Sequence, residues 1–356
     1  MRIALTAGGT GGHIFPALAV LDALQARPGV LSDVRFFGPQ DRGERTMVEG
    51  RGVRFEAIPA AAIRGRNPLQ LLASVARIGW GTVVAVKKLA AFRPSVVFST
   101  GGYASFPCSL AARVLRRKLV VYLPDVAPGW AVRAEMKLAT RLATTTEAAL
   151  DHLPRNKTTV TGYPVRPAFF GQAREDARAA LGIAPGELLL LVGTSSQGSQ
   201  AINAATFGAI EALTGAARVI HIVGRADLEH AQAFASARYE PGAFRDDLPT
   251  VMLAADLAVA RAGASTLGEL TAAGLPAILV PGTYAGGHQR DNARWLANAG
   301  AAVIVEEANL AELAGTVVSL IGDPARLAMM RTAASELARP GAADAIADLI
   351  VEVAAR

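Results

Sequence analysis

Short apolar runs alternate with longer amphipathic stretches along the whole chain, and this alternation predicts the fold class before any single residue is considered. Ile3–Thr6, Val34–Phe37, Val96–Ser99 and Leu119–Leu123 read as buried strands, with helices over Pro16–Gln25 and Leu69–Ala91 between them. A second series follows with Leu188–Val192, Val219–Val223, Leu257–Ala260 and Ala277–Val280, again separated by helical stretches. Strand and helix alternating at this spacing predict an α/β protein built on parallel, doubly wound sheets. Each series opens with a strand, a glycine-rich turn and a helix. The join is placed at Gly162-Tyr163-Pro164-Val165-Arg166-Pro167, where two prolines and a glycine interrupt both strand and helix. The expected domains are residues 1–163 and 164–339, with a last helix near 340–356 packing back on the first domain. A cleft between them would be lined by the carboxyl ends of strands, where open α/β sheets bind ligands.

Composition narrows the class. A chain of 356 residues suits two ordinary domains, and 51% hydrophobic with 19% charged residues describes a core-rich protein. One cysteine, Cys108, excludes an internal disulfide framework, and Gly8, Gly9, Gly11 and Gly12 stand where a secretory leader needs apolar residues. Both point to a reducing cytoplasm. No run reaches the ~18 uninterrupted apolar residues of a spanning helix. The net charge of +6 conceals an asymmetry: residues 1–165 hold 22 basic and 10 acidic residues, the remainder 14 and 20. Between Ala57 and Pro124 there are ten basic residues and no acidic one. A one-sided basic field attracts a polyanion, either nucleic acid or an anionic membrane. Ile63–Phe92 mixes Leu69, Leu71, Leu72, Ile78, Trp80 and Val83 with arginines and lysines. That mixture fits a surface dipping into anionic lipid, or a core helix with a solvated basic face. Aromatic residues make up only 6%, which weighs against nucleic acid.

Candidate chemistry sits in the glycine-rich turns. Gly8–His13 (GGTGGH) follows the first strand, where backbone N–H groups and a helix dipole receive phosphate; a tight structural turn meets the same description. The turn carries neither the dinucleotide fingerprint nor a Walker loop. His13 beside bound phosphate is a candidate general base, or a capping and orienting residue. Gly193–Ser199 offers hydroxyls and backbone donors to a second anion, or is a polar connection. Arg261–Glu269, with Ala272–Pro276 behind it, reads as strand end, small-residue turn and helix start. There Glu269 is a candidate acceptor for ribose hydroxyls or a first-turn carboxylate. Gly286–Ala293 presents Gln289, and Gly101–Pro107 forms a turn within the acid-free region. There is no Asp-x-Asp pair, no metal-ligand histidine spacing and no nucleophile elbow, so no metal or other cofactor is expected.

In this order the motifs are familiar. GGTGGHIFP at Gly8–Pro16, GGYASFP at Gly101–Pro107, Pro164-Val165-Arg166 and the Ser265–Glu269 turn resemble those of the MurG family, the peptidoglycan N-acetylglucosaminyltransferases of glycosyltransferase family 28. The resemblance covers nearly the whole chain. It implies a GT-B fold, two Rossmann-like doubly wound domains facing across a cleft. It also implies inverting, metal-independent transfer of GlcNAc from UDP-GlcNAc to lipid I, undecaprenyl-pyrophosphoryl-MurNAc-pentapeptide, at the cytoplasmic face of the membrane. Carried over by position, His13 is the base. Thr10, Gly11 and Gly12 face the donor sugar and acceptor pyrophosphate, and Gly9, Gly102, Tyr103 and Ser105 lie on the acceptor side. Arg166 and Ser196 meet diphosphate or sugar, and the backbone at Phe244 and Arg245 reads the uracil. Ala264, Ser265 and Thr266 bind diphosphate, Glu269 the ribose, and Gln289 the GlcNAc hydroxyls.

Some positions depart from the family pattern. The family's His-Glu-Gln-Asn is Tyr122-Leu123-Pro124-Asp125, so Asp125 stands where an Asn meets the sugar; Tyr163 replaces an Asn and Gly287 an Asp. These changes leave open a different lipid acceptor for a GT-B UDP-sugar transferase, or a sugar-nucleotide epimerase of the same architecture.

Overall fold

The computed structural model describes residues 1–8, 11–39, 44–61, 68–194, 198–283 and 287–356. The chain divides into two compact units, Met1–Pro164 with Gly341–Arg356, and Val165–Pro340.

The first unit carries seven parallel strands: β1 Arg2–Thr6, β2 Asp33–Gly38, β3 Arg54–Ala57, β4 Val96–Ser99, β5 Lys118–Leu123, β6 Arg141–Thr144 and β7 Thr158–Val160. Their order is β3-β2-β1-β4-β5-β6-β7. The second unit carries β8 Leu189–Val192, β9 Arg218–Ile222, β10 Tyr239–Gly242, β11 Leu257–Ala260, β12 Ala277–Leu279 and β13 Ala302–Ile304, in the order β10-β9-β8-β11-β12-β13. All pairings between these strands are parallel. In each sheet the order reverses between the first strand and its inner neighbour, β1 beside β4 and β8 beside β11. Ligands of open α/β sheets gather at such a switch point.

Apart from β6, the inner strands are those read from continuous apolar runs, because a sheet covered on both faces buries most of its side chains. β4 and β11 are buried throughout. Five strands were not read from sequence: β3 (RFEA), β6 (RLAT), β7 (TTV), β10 (YEPG) and β13 (AVI). Each has three or four residues, and four of the five lie at sheet edges, where polar side chains and Pro241 are tolerated.

The first helix runs Gly11–Gln25, five residues earlier than the sequence suggests, with Pro16 inside it. Proline has no N–H, so the Gly12 carbonyl loses its partner one turn on. The long helix Pro68–Phe92 buries Ser74, Ile78, Ala85, Leu89 and Phe92, a stripe at helical spacing, against the sheet and the helix Phe106–Val114.

The last helix, Ala342–Ala355, packs on Gly11–Gln25 and beside β4 and β5. It buries Ile346, Leu349, Ile350 and Val353. Arg27 fastens it, donating to an Asp348 carboxylate oxygen at 2.6 Å and to the Asp344 carbonyl at 3.0 Å. Ile350 is fully buried. Ile350→Ala should therefore cost about 2–5 kcal/mol, measured by denaturant unfolding; a loss below half of the lower figure would show that this helix is not part of the first unit's core.

Candidate active site

The ends of β1 and β4 determine the geometry of the first unit's switch point. Gly8 follows β1, and Gly101-Gly102 follow β4 by one residue. A Cβ on Gly8 would stand 2.5 Å from Gly102 Cα, and one on Gly102 would stand 2.8 Å from Gly8 Cα. Gly101 and Gly102 also take φ of +80° and +91°, a region open to glycine and costly for other residues. Two backbones meet here with no room for side chains.

Between them Thr100 orients His13. Its N–H donates to the Thr6 carbonyl at 3.1 Å, tying the turn to β1. Its hydroxyl donates to the His13 carbonyl at 2.8 Å, and His13 Nδ1 lies 2.8 Å from the Thr100 carbonyl oxygen. A carbonyl only accepts, so Nδ1 carries the hydrogen and the lone pair of the neutral ring is on Nε2. The ring lies against Gly101 and Gly102. Burial lowers the His13 pKa below its ordinary value, and the Asp125 charge and the Thr100 carbonyl partly restore it. The arrangement therefore presents a neutral imidazole with a free-base nitrogen at pH 7, which is what proton abstraction requires.

Under the turn lies a carboxyl that sequence reasoning missed. Glu135, in the helix Trp130–Leu138, is fully buried. Ser99 Oγ is 3.0 Å from its Oε2, and Ser105 and Ser109 Oγ are 2.7 and 2.9 Å from its Oε1. Ser99 Oγ accepts the Gly101 N–H at 3.0 Å, and Ser105 Oγ lies 2.8 Å from the Gly102 carbonyl oxygen. Ser105, expected on the acceptor side, is buried with its hydroxyl turned to Glu135 and Gly102; it supports the turn from below. Within Trp-Ala-Val-Arg-Ala-Glu-Met-Lys-Leu a glutamate reads as a solvated helix face. The only sequence signal was Ser105 and Ser109 one helical turn apart. Tyr103 is half-buried on the turn itself.

Two of the departures from the family pattern are one packing change. Tyr122 and Tyr163, each read from the sequence as a departure, stack edge-on at 6.4 Å between centroids. The Tyr122 hydroxyl also meets Thr145 Oγ1 at 2.8 Å and the Gly162 carbonyl at 3.2 Å. Asp125, the third, places its charge close enough to act on both His13 and Tyr122.

The second unit repeats the scheme. After β8, Gly193 has φ +77°, and a Cβ there would stand 2.4 Å from the Ile222 carbonyl oxygen. After β11, Gly263 caps the helix Ala264–Ala272 and has no side chain to occupy the first-turn N–H groups, so an anion can use them. Ala264 and Ser265 stand in that first turn, half-buried, whereas Thr266 is buried and its hydroxyl lies 2.9 Å from that of Thr194, joining the two turns. Arg166 donates to Glu269 Oε1 at 3.2 Å. Burial raises Glu269 to about 7 against the opposing Arg166 charge. Gln289 Oε1 accepts the Gly282 N–H at 2.8 Å. The helix bearing it starts after Gly287 at φ +81°, a conformation that glycine adopts far more readily than the family's Asp. Phe244 is exposed, and the neighbouring Arg245 is paired with Glu240 and Asp247.

The structure thus gathers His13, Gly12, Gly102 and Asp125 in the first unit, and Arg166, Ala264, Ser265, Thr266 and Glu269 in the second. Gly9, Thr10 and Ser196 lie outside the described residues, and of Gly11 only its place at the helix start is described. Among the described residues no three His, Cys, Asp or Glu side chains are grouped to hold a metal ion. The ring assignment makes a direct prediction. Nitrogen-detected NMR should find His13 neutral with Nδ1 protonated at pH 7, and titrating below the ordinary value of 6.5; an Nε2-protonated ring, or a midpoint above 6.5, would overturn it.

Comparison with known proteins matches two consecutive family models to the chain. Residues 3–144 match the glycosyltransferase family 28 N-terminal domain, and residues 188–349 the glycosyltransferase family 28 C-terminal domain. The chain is 37% identical to the UDP-N-acetylglucosamine--N-acetylmuramyl-(pentapeptide) pyrophosphoryl-undecaprenol N-acetylglucosamine transferase of Desulforudis audaxviator, over 100% of this chain and 99% of that one. It resembles the crystal structure of Acinetobacter baumannii MurG with 25% identity and a TM-score of 0.75 over 99% of both chains. A UDP-GlcNAc 2-epimerase from Neisseria meningitidis, 15% identical with a TM-score of 0.69 over 99% of this chain and 100% of that one, shares the fold alone. With both halves matched in order and a full-length relative this similar, the chain belongs to glycosyltransferase family 28 and has the GT-B fold.

Proposed function

We propose that this chain transfers N-acetylglucosamine from UDP-GlcNAc to undecaprenyl-pyrophosphoryl-MurNAc-pentapeptide, giving lipid II with inversion at the anomeric carbon. The observation that carries this reading is the clamped His13, a neutral base against the Gly101-Gly102 turn, in a chain related at full length to transferases of that name.

His13 Nε2 takes the proton of the acceptor hydroxyl as that oxygen attacks the anomeric carbon. The bond from that carbon to the diphosphate breaks, and UDP leaves. Negative charge then grows on the diphosphate, and the first-turn N–H groups after Gly263, with Ser265, stabilise it. Arg166 supplies the cation once the incoming diphosphate competes with Glu269 for it. Glu269 accepts ribose hydroxyls, the Gln289 amide donates to the sugar, and the backbone near Phe244 and Arg245 reads the uracil. Gly12 faces the sugar and pyrophosphate, with Gly102 and Tyr103 on the acceptor side. Asp125 keeps an acceptor for the sugar where the family has an amide.

Purified protein, UDP-GlcNAc and a lipid I analogue should release UDP only when both substrates are present, with EDTA making no difference. His13→Ala should lose about 10²–10⁴-fold in kcat, and the acid limb of the wild-type rate should fall below pH 6.5, because protonation of the lowered histidine removes the base. Donor binding without turnover would point to another lipid acceptor. No binding of any UDP-sugar would defeat the reading.

The same proposal places the chain on an anionic membrane surface at the cytoplasmic face. Among the described residues no single helix is long and apolar enough to cross a membrane. The helix Pro68–Phe92 instead exposes Leu72 (68%), Val75, Trp80 (59%) and Val83, with Arg77 and Lys87 exposed beside them. Ile78, grouped with the lipid-facing residues from sequence, is buried, and Lys88 is held by Glu56 at 2.8 Å. Leu69 and Leu71 have side chains outside the description. Burial of a large apolar side chain is worth about 1.5–3 kcal/mol. Leu72→Glu with Trp80→Glu should therefore weaken binding to phosphatidylglycerol-containing vesicles by at least about tenfold at an unchanged thermal midpoint. Unchanged sedimentation with vesicles would remove this helix from the interface.

A further inference from the structure

The carboxyl beneath the His13 turn has a hydrogen-bond problem with one solution. Ser105 Oγ has a single hydrogen, yet it sits 2.8 Å from the Gly102 carbonyl oxygen and 2.7 Å from Glu135 Oε1. If Glu135 is ionised, both neighbours are acceptors and one contact has no hydrogen. If Oε1 carries a proton, Glu135 O–H donates to Ser105 Oγ, and Ser105 O–H donates to the Gly102 carbonyl. Ser109 then donates to Oε1 and Ser99 to Oε2, while Ser99 accepts the Gly101 N–H. Every polar atom of the cluster is then satisfied, as a fully buried group requires.

We propose that Glu135 works as a neutral acid, a positioning residue that holds Gly101 and Gly102 from below through Ser99 and Ser105 and so keeps the Thr100 carbonyl on His13 for transfer. The proposal rests on the transferase reading above. Glu135 touches no substrate; it acts through the turn.

The surroundings agree. Burial raises Glu135 to about 7, and the three serines pull it back. Among the described residues no ion pair includes it. Its helix packs on Phe106–Val114 and on β5. Those elements bring Cys108, Arg113, Lys118 and Tyr122, while Lys157 sits at the helix end on the Met136 and Ala139 carbonyls. Arg133, on the same helix, turns away to the Pro128 carbonyl. Of these, Cys108 responds to the Glu135 charge, its thiol pushed up to about 12, chiefly by burial. His13 lies on the opposite side of the turn, against Gly101 and Gly102.

The test compares wild type, Glu135→Gln and Glu135→Leu. The glutamine amide donates its two hydrogens to Ser105 and Ser109 and its oxygen accepts from Ser99, so it keeps all three contacts, with the Ser109 bond reversed, and cannot ionise. Glu135→Gln should keep the wild-type kcat at pH 6 and lack the wild-type loss of activity centred near pH 7. Glu135→Leu should lose about 100-fold in kcat with the UDP-GlcNAc KM unchanged. Infrared difference spectra at pH 6, wild type minus Glu135→Gln, should show the carbonyl band of a protonated carboxyl. The stability sign follows from linkage: the folded chain holds this proton above the ordinary value of 4.5, so raising pH from 4.5 towards 7 should lower the wild-type thermal midpoint relative to Glu135→Gln. Glu135→Gln as impaired as Glu135→Leu, or no such band, would overturn the proposal, and if Glu135→Leu does not fold the glutamine comparison decides alone. A wild type inactive on the lipid acceptor would instead sink the transferase reading, with the infrared difference still deciding whether Glu135 carries the proton.

Discussion

The backbone of Gly8 lies so close to that of Gly102 that neither residue can carry a side chain, and the chemistry of the first unit depends on this contact. It holds the turns after β1 and β4 together at the point where the strand order reverses. Thr100, caught between them, engages both the carbonyl and the ring of His13. A histidine on a flexible loop would sample both tautomers; here a single carbonyl selects one. The second unit repeats the constraint with other atoms: Gly193 and Gly198 pack against the Ile222 and Val223 carbonyls, with no space for a Cβ. The glycine-rich turns after β1, β4, β8 and β11 thus stand at the two switch points, because close backbone approach and phosphate access make the same demand on a residue.

What the sequence revealed follows from this. Inner strands other than β6 were legible because burial on both faces leaves continuous apolar runs, as in Val96–Ser99 and Leu257–Ala260. Short edge strands such as Thr158–Val160 were not, since neighbours and not composition make them strands. The first helix was placed late because Pro16 suits a first-turn position, whereas the chain enters the helix at Gly11. Motif residues were legible where the backbone itself demands a residue type. Their supports were not: Thr100 on His13, Thr194 on Thr266 and Glu135 under Ser105 are tertiary contacts between residues that look ordinary in line.

The two units treat a buried carboxyl differently. Glu269 has a guanidinium partner, Arg166, that a diphosphate can compete for. Among the described residues Glu135 meets only hydroxyls, so nothing ionic is exchanged and the cluster stays closed. One arrangement suits a residue that must greet a ligand, the other a residue that must hold its shape. The Tyr122–Tyr163 pair makes a related point: what looks in sequence like two separate departures is one filled volume, and restoring either family residue alone would leave a hole beside the other ring.

The last helix, Ala342–Ala355, belongs to the first unit although the whole second unit precedes it in the chain. Synthesis runs from the amino end, so the sheet that carries His13 emerges from the ribosome long before the helix that covers part of it. During that interval, while the second unit is still being made, the apolar surface that Ile346, Leu349, Ile350 and Val353 will cover stays open to water or to a chaperone. The half of the molecule that is translated first is therefore the half that finishes folding last.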